Sequence, residues 1–260
     1  MIKQVFKRQE LPWDELQKLG LAKDGRLLLD EDDITSLLSG RRTDMLRLEN
    51  LRRDGLHIPM LDSKLSLVRN ELGEVELRAH PIYKEPVVPS YLTDTEAEML
   101  EKGDAVNLEK TIDDGKGGKI DVIIEFDRDT NEFITVDTDG ILIPEGINGK
   151  PLTAEQKERY RKGKEVKTDD GTTLQYSATE KQGIRSDRLA LVASILIDGG
   201  ITYVLYKGLN ALFNKPQEKE PGKNYAKALD EFNKQQAKRF SDRHQPEAEA
   251  TEEQSETISR

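Results

Sequence analysis

The sequence predicts an α+β protein: small antiparallel β-hairpin sheets with short capping helices in a duplicated unit, then an apolar helical segment and a disordered tail. Three observations lead there. A frame of Leu-Thr, eight residues, Lys-Gly, two residues and Val runs from Leu92 to Val106 and returns 60 positions later, from Leu152 to Val166. Between and around these frames, stretches of period-two alternation are separated by Gly, Asn and Asp turns, which is the pattern of hairpins with one covered face. Leu189 to Phe213 is apolar and unlike everything before it.

Each frame reads as one helix, a chain reversal and a strand. Thr93 and Thr153 stand at N-cap positions, with Glu96 and Gln156 three residues on, where a capping box places them. Acidic residues fill the first turns (Asp94, Glu96, Glu155) and basic ones the last (Lys102, Arg159, Arg161, Lys162), as the helix dipole favours. Gly103 and Gly163 provide the left-handed position that ends a helix. A weaker third copy runs from Leu29 to Gly40. The apolar stripes, Leu92, Ala97, Leu100 and Leu152, Tyr160, are thin, so each helix is expected to lie on a small sheet and the copies to stack or pair.

Composition narrows the classes. The chain has 260 residues, 35% of them charged and 5% aromatic, which leaves a modest core. There is no cysteine, hence no disulfide, thiolate chemistry or cysteine-ligated zinc. Met1 to Glu10 has no apolar run of the secretory kind, so a cytoplasmic protein is expected. A net charge of −10 argues against general nucleic-acid binding.

In chain order, residues 1–90 read as an N-terminal α+β region. Trp13, Leu16 and Leu19 recur at helical spacing and Gly20 stops them. The acidic run Asp30 to Asp33 opens a second helix that Ile34, Leu37 and Leu38 complete; it lacks calcium-loop spacing. Lys64–Arg69 and Glu74–His80 alternate around the turn Asn70 to Gly73, and Pro81 ends the pairing. Residues 91–184 hold the duplicated units. The glycine-rich Asp113 to Lys119 is no phosphate loop, because a strand, Ile120 to Phe126, follows it. Asp127 to Asn131 turns that strand into Phe133 to Val136, and Val166 with Thr173 to Ser177 forms a short hairpin.

The most pointed local motif is Ser39-Gly40-Arg41-Arg42-Thr43-Asp44. Two guanidinium groups beside hydroxyls suit a phosphate or a carboxylate, since the fork binds such groups bidentately. Asp44, Glu49 and Asp54 are interleaved, so internal ion pairs compete for the same groups. Arg41, Arg42 and Thr43, together with Asp198 in the later apolar segment, are the candidate ligand or partner residues, with Arg41 or Arg42 expected on a carboxylate of the same chain. No nucleophile, base and orienter occur together, so no catalytic residue is assigned, and neither a cofactor nor a metal site is expected. His57 and His80 lack a third zinc ligand at a recognisable spacing.

Residues 185–213 are expected to be an apolar helical segment, broken or bent at Asp198-Gly199-Gly200, with Asp198 at a helix end or on backbone amides. It is long enough to invite either burial against a partner or second copy, or contact with the inner membrane; Asp198 near its centre opposes insertion. Residues 214–260 read as a linker marked by Pro216, Pro221 and Gly222, a short amphipathic helix carrying Tyr225, Leu229, Phe232 and Phe240, and an acidic disordered tail from His244.

The strings Leu-Leu-Ser-Gly-Arg-Arg-Thr (37–43), His-Pro-Ile-Tyr-Lys (80–84), Ile-Asn-Gly-Lys-Pro-Leu-Thr-Ala-Glu-Gln-Lys (147–157) and Gly-Ile-Arg-Ser (183–186) resemble a Bacteroidetes family of unknown function, the domain of unknown function 4099 type. The Ile-Asn-Gly-Lys-Pro-Leu-Thr segment is also similar to the 3945 type. The resemblance implies a bacterial accessory protein of conjugative and other mobile elements and carries over no catalytic residue. The sequence thus points to a non-catalytic interaction protein with a protein partner, or self-association, through 189–213. Two alternatives stand beside it: a nucleic-acid-associated factor using the Arg41-Arg42 corner and the basic 214–240 segment, and a membrane-associated protein anchored through 189–213.

Overall fold

A computed structural model describes residues 5–53, 55–197 and 200–243. Asp198 and the tail from His244 lie outside the described residues. The first region opens with α1 (Trp13–Lys18), a minimal hairpin of β1 (Ala22–Lys23) and β2 (Arg26–Leu27), then α2 (Glu31–Leu38) and the strands β3 (Leu46–Arg53), β4 (Leu56–Arg69) and β5 (Val75–Pro81). The second unit is α3 (Asp94–Lys102) with β6 (Leu108–Asp113), β7 (Lys119–Asp127) and β8 (Glu132–Asp137). The short pair β9 (Gly146–Ile147) and β10 (Lys150–Pro151) leads to the third: α4 (Ala154–Arg161) with β11 (Val166–Lys167), β12 (Thr173–Tyr176) and β13 (Ile184–Ser186). The chain continues through β14 (Ala190–Ile197), β15 (Gly200–Lys207) and α5 (Tyr225–Arg243).

The repeat is larger than a helix and one strand. Each of α2, α3 and α4 is followed by a three-stranded antiparallel meander, in the orders β3-β4-β5, β6-β7-β8 and β11-β12-β13. The caps follow the residues that predict them. Thr93 N–H donates to Glu96 Oε2 at 2.8 Å while Glu96 N–H donates to Thr93 Oγ1 at 3.3 Å. Thr153 and Gln156 repeat the exchange at 2.8 and 3.2 Å. In the third copy Asp30 is the cap and accepts from Asp33 N–H at 2.6 Å. Gly103 (φ +79°) and Gly163 (φ +62°) then reverse the chain in a conformation that a Cβ would strain.

Strand β7 is the wall between two cores. Its alternation sends Val122 and Ile124 toward Leu92 and Leu100 of the second unit. Ile123, on the other face, joins Leu174, Ile184, Leu191 and Ile195 in the largest cluster. A strand buried on both faces reads as a continuous apolar run rather than an alternating one. A separate cluster of Leu16, Leu37, Leu48 and Leu65 fills the first unit.

The apolar segment from Leu189 corrects an expectation. Instead of two hinged helices, residues 190–197 and 200–207 form an antiparallel hairpin in register, with Leu191 opposite Tyr206 and Leu196 opposite Ile201. It extends a sheet of order β10-β9-β14-β15. One face of β14, with Leu191, Ala193 and Ile195, enters the main core, and α5 packs against β14 and β15. Val, Ile, Thr and Tyr favour the pleated strand, and the register runs unbroken from Ala190 opposite Lys207 to Ile197 opposite Gly200. No helix among the described residues is long and apolar enough to cross a membrane. The amphipathic helix expected after the linker is α5, which covers the outer edge of β15: Tyr203 N–H donates to Gln235 Oε1 and Gln235 Nε2 donates to the Ile201 carbonyl, both at 2.9 Å.

Candidate functional site

The arginine corner is where the three units meet. Gly40, at φ +71°, ends α2, and Thr43 then locks onto β4: its N–H donates to the Leu65 carbonyl at 2.9 Å and its Oγ1 accepts from Leu65 N–H at 3.0 Å. Thr43 is buried and serves as a strand anchor. With Thr43 fixed, the two arginines before it diverge.

Arg42 turns toward the β7–β8 turn. Its Nη1 donates to Asp127 Oδ2 at 3.2 Å, Thr130 Oγ1 at 3.0 Å and Glu132 Oε2 at 2.9 Å. Lys64, on β4, joins the same turn through Asp127 at 3.0 Å and Asp129 at 2.9 Å. His80 completes the cluster with Ser66 Oγ at 2.8 Å from Nε2 and Glu132 at 3.2 Å from Nδ1. Burial, and after it the Arg42 charge, hold the His80 pKa below its ordinary value against the pull of Glu132. Arg42, Lys64 and His80 thus clamp the first unit to the second. Both partners of each pair are needed, because Asp127 is buried and a lone charge there is costly.

Arg41 turns the other way. Its Nε donates to the Lys181 carbonyl at 2.7 Å, which also accepts from Ser36 Oγ at 2.7 Å. Its side chain lies over Gly183 of the third unit. Lys181 Nζ in turn reaches Asp44 at 2.5 Å. Of the two arginines the sequence brought forward, only Arg42 is paired with carboxylates among the described residues.

Between the units lies a cleft of about 420 Å³ whose lining includes Lys64, Asp127, Arg128, Lys181, Arg185 and Phe213. Arg128 and Phe213 both lie against Gly103. Also lining the cleft, the buried Glu125 accepts from Ser177 Oγ at 2.9 Å, Ala178 N–H at 3.0 Å and Thr179 N–H at 3.3 Å. Burial raises the Glu125 pKa, and these donors offset part of the rise. Sequence reasoning missed Glu125, although a lone acid inside the apolar run Val122 to Phe126 was the signal. Among the described residues no group of three or more acids and histidines is arranged to hold a metal ion.

The string Ile-Asn-Gly-Lys also has a structural meaning. Asn148 (φ +48°) and Gly149 (φ +76°) form the two-residue turn between β9 and β10. The buried Asn148 side chain accepts from Val192 N–H at 3.0 Å and donates to Asp170 Oδ2 at 2.8 Å. Burial pushes the Asp170 carboxyl up, but hydrogen bonds from Thr168, Asn148 and Thr172 outweigh it and the pKa is lowered.

No curated protein and no solved structure matches the chain. Residues 6–90, from the N-terminal helix through the first meander, are similar to a family described as "Protein of unknown function (DUF4099)".

Proposed function

We propose that this chain is a non-catalytic interaction protein, a cytoplasmic accessory factor of a bacterial mobile element that works through protein–protein contacts. The mobile-element setting is what the resemblance to the 4099 type implies, and the match that supports the resemblance covers residues 6–90. The contact reading rests on one observation. Leu196 and Ile201 are cross-strand partners at the far end of the β14–β15 hairpin, and each is 54% exposed. They lie beyond β9, which pairs with β14 only at Ala193 and Ser194. Scattered exposed apolar residues are ordinary; a registered pair on one face of a projecting ribbon is a surface that another chain would cover.

A photo-crosslinking residue placed at position 196 in the full chain tests this in the native host, with position 72, on the exposed β4–β5 turn, as control. A discrete protein adduct, or a dimer of this chain, formed from 196 and absent from 72 is expected. No adduct from 196, or the same adducts from both positions, would overturn the reading.

A further inference from the structure

We infer that Arg41 and the hydroxyls of Tyr160, Tyr176 and Tyr206 form an oxyanion site that takes a phosphate or carboxylate group. The four residues come from α2's exit, α4, β12 and β15; the three tyrosines share the main core cluster, and Arg41 borders it at Gly183. Tyr160 and Tyr176 meet edge to face, with ring centroids 6.1 Å apart. Tyr176 lies opposite Ile184 in the β12–β13 register, and Arg41 lies over the neighbouring Gly183. Gln182 donates to the Lys207 carbonyl at 2.9 Å, which ties the same segment to the end of β15 beside Tyr206.

What singles the cluster out is its unused donors. All three tyrosines are buried. None of their hydroxyls has a hydrogen-bond partner among the described residues, and none is sealed from solvent. Buried phenols ordinarily find such partners. Arg41 uses only Nε, on the Lys181 carbonyl. Its two Nη groups have no partner among the described residues and no carboxylate within salt-bridge distance. The guanidinium therefore presents its outer edge, the edge that grips an oxyanion. Burial raises each phenol's pKa and the Arg41 charge draws it back down, so the charge acts on all three.

The competing occupant is a group of waters. Waters would satisfy the hydroxyls but leave a half-buried cation without a counter-charge. The acid acting on Tyr176 is Glu125; its oxygens are occupied by Ser177, Ala178 and Thr179, and burial raises its pKa. A site holding one positive charge and three further donors selects a small group rich in acceptors. The assignment does not depend on the hairpin tip.

The test uses the full chain with tyrosine labelled at the ring carbon bearing the hydroxyl. Inorganic phosphate and acetate are titrated separately at constant ionic strength, with chloride as reference. Saturable shifts confined to the signals of Tyr160, Tyr176 and Tyr206 are expected; the tighter of the two anions identifies the group. Arg41→Met is expected to abolish the shifts. Tyr206→Phe, which removes one donor and little volume, is expected to weaken binding about tenfold, since a hydrogen bond to a charged group contributes on the order of 1.5 kcal/mol or more. Should Arg41→Met unfold, Tyr206→Phe and Tyr176→Phe decide the matter. Non-saturable shifts with every anion, or affinities unchanged in both phenylalanine variants, would overturn the assignment.

Discussion

Arg42 donates to Glu132 at 2.9 Å across 90 positions of sequence, and the same nitrogen reaches Asp127. This contact joins the first unit to the second, and it accounts for the two arginines after the helix-ending glycine. Arg42→Ala strands the buried Asp127 with Lys64 as its remaining cation. A loss of about 3 kcal/mol is expected in urea unfolding of the full chain. Arg47→Ala removes an exposed pair with Asp62 and is expected to leave the unfolding midpoint where it was.

His80 gives this junction a pH dependence. Its folded pKa lies below the ordinary value of about 6.5, first through burial and then through Arg42. The unfolded chain therefore binds the proton more readily, and stability is fully present above the unfolded pKa. It is lost as pH falls below about 6.5 toward the folded pKa. Unfolding midpoints at pH 7.5 and 5.5 are expected to differ more in the natural chain than in His80→Gln.

The helix-ending glycines are expected to differ from an open one. A Cβ at Gly103 would meet Arg128 and come within 3.0 Å of Phe213; at Gly163 it would come within 2.7 Å of Asn107 and 3.1 Å of Ile123. Gly20 has the same left-handed φ and nothing near it. Alanine at 103 or 163 should cost more than about 1 kcal/mol, and more than alanine at 20. Equal losses at the three positions in thermal unfolding would show that backbone strain alone governs them.

Asn148 and Gly222 test how the C-terminal segment is attached. A Cβ at Gly222 would strike Asp170 and approach Thr172 Oγ1 to 2.5 Å, so Gly222→Ala should lift the linker from this network. Faster amide exchange at Tyr203, whose N–H is held by α5, is the expected readout. Asn148→Gly keeps the positive φ and deletes the side chain, leaving the buried Val192 N–H unpaired, and should cost about 2 kcal/mol.

Much of this fold was legible in the residues that cap and turn. Thr93, Glu96, Thr153 and Gln156 state the helix starts through local hydrogen bonds, which a sequence displays directly. The meanders after them were only partly legible. The acid–base pairs that fix their packing, such as Lys64 with Asp127, join residues far apart in sequence. The segment from Leu189 misled because β14 is covered on one face by the core and on the other by α5, so the alternation that marks a strand is absent. Its β-branched residues were the better guide. The Arg41 tyrosine cluster could not be read at all: its four members stand at positions 41, 160, 176 and 206 and share no local pattern.

The two hydrogen bonds between Gln235 and β15 concern the outer edge of the sheet. A strand at the end of a sheet presents amide hydrogens and carbonyls at the spacing another strand would use. The carboxamide of Gln235 carries one donor and one acceptor on a single carbon, and it occupies the Tyr203 and Ile201 groups as one residue of a neighbouring strand would. The sheet is thereby ended by a side chain rather than by a strand. Gln235→Ala would return both groups to solvent with the helix still above them, and the edge would become a template for ordered addition of further chains, seen as concentration-dependent growth in light scattering.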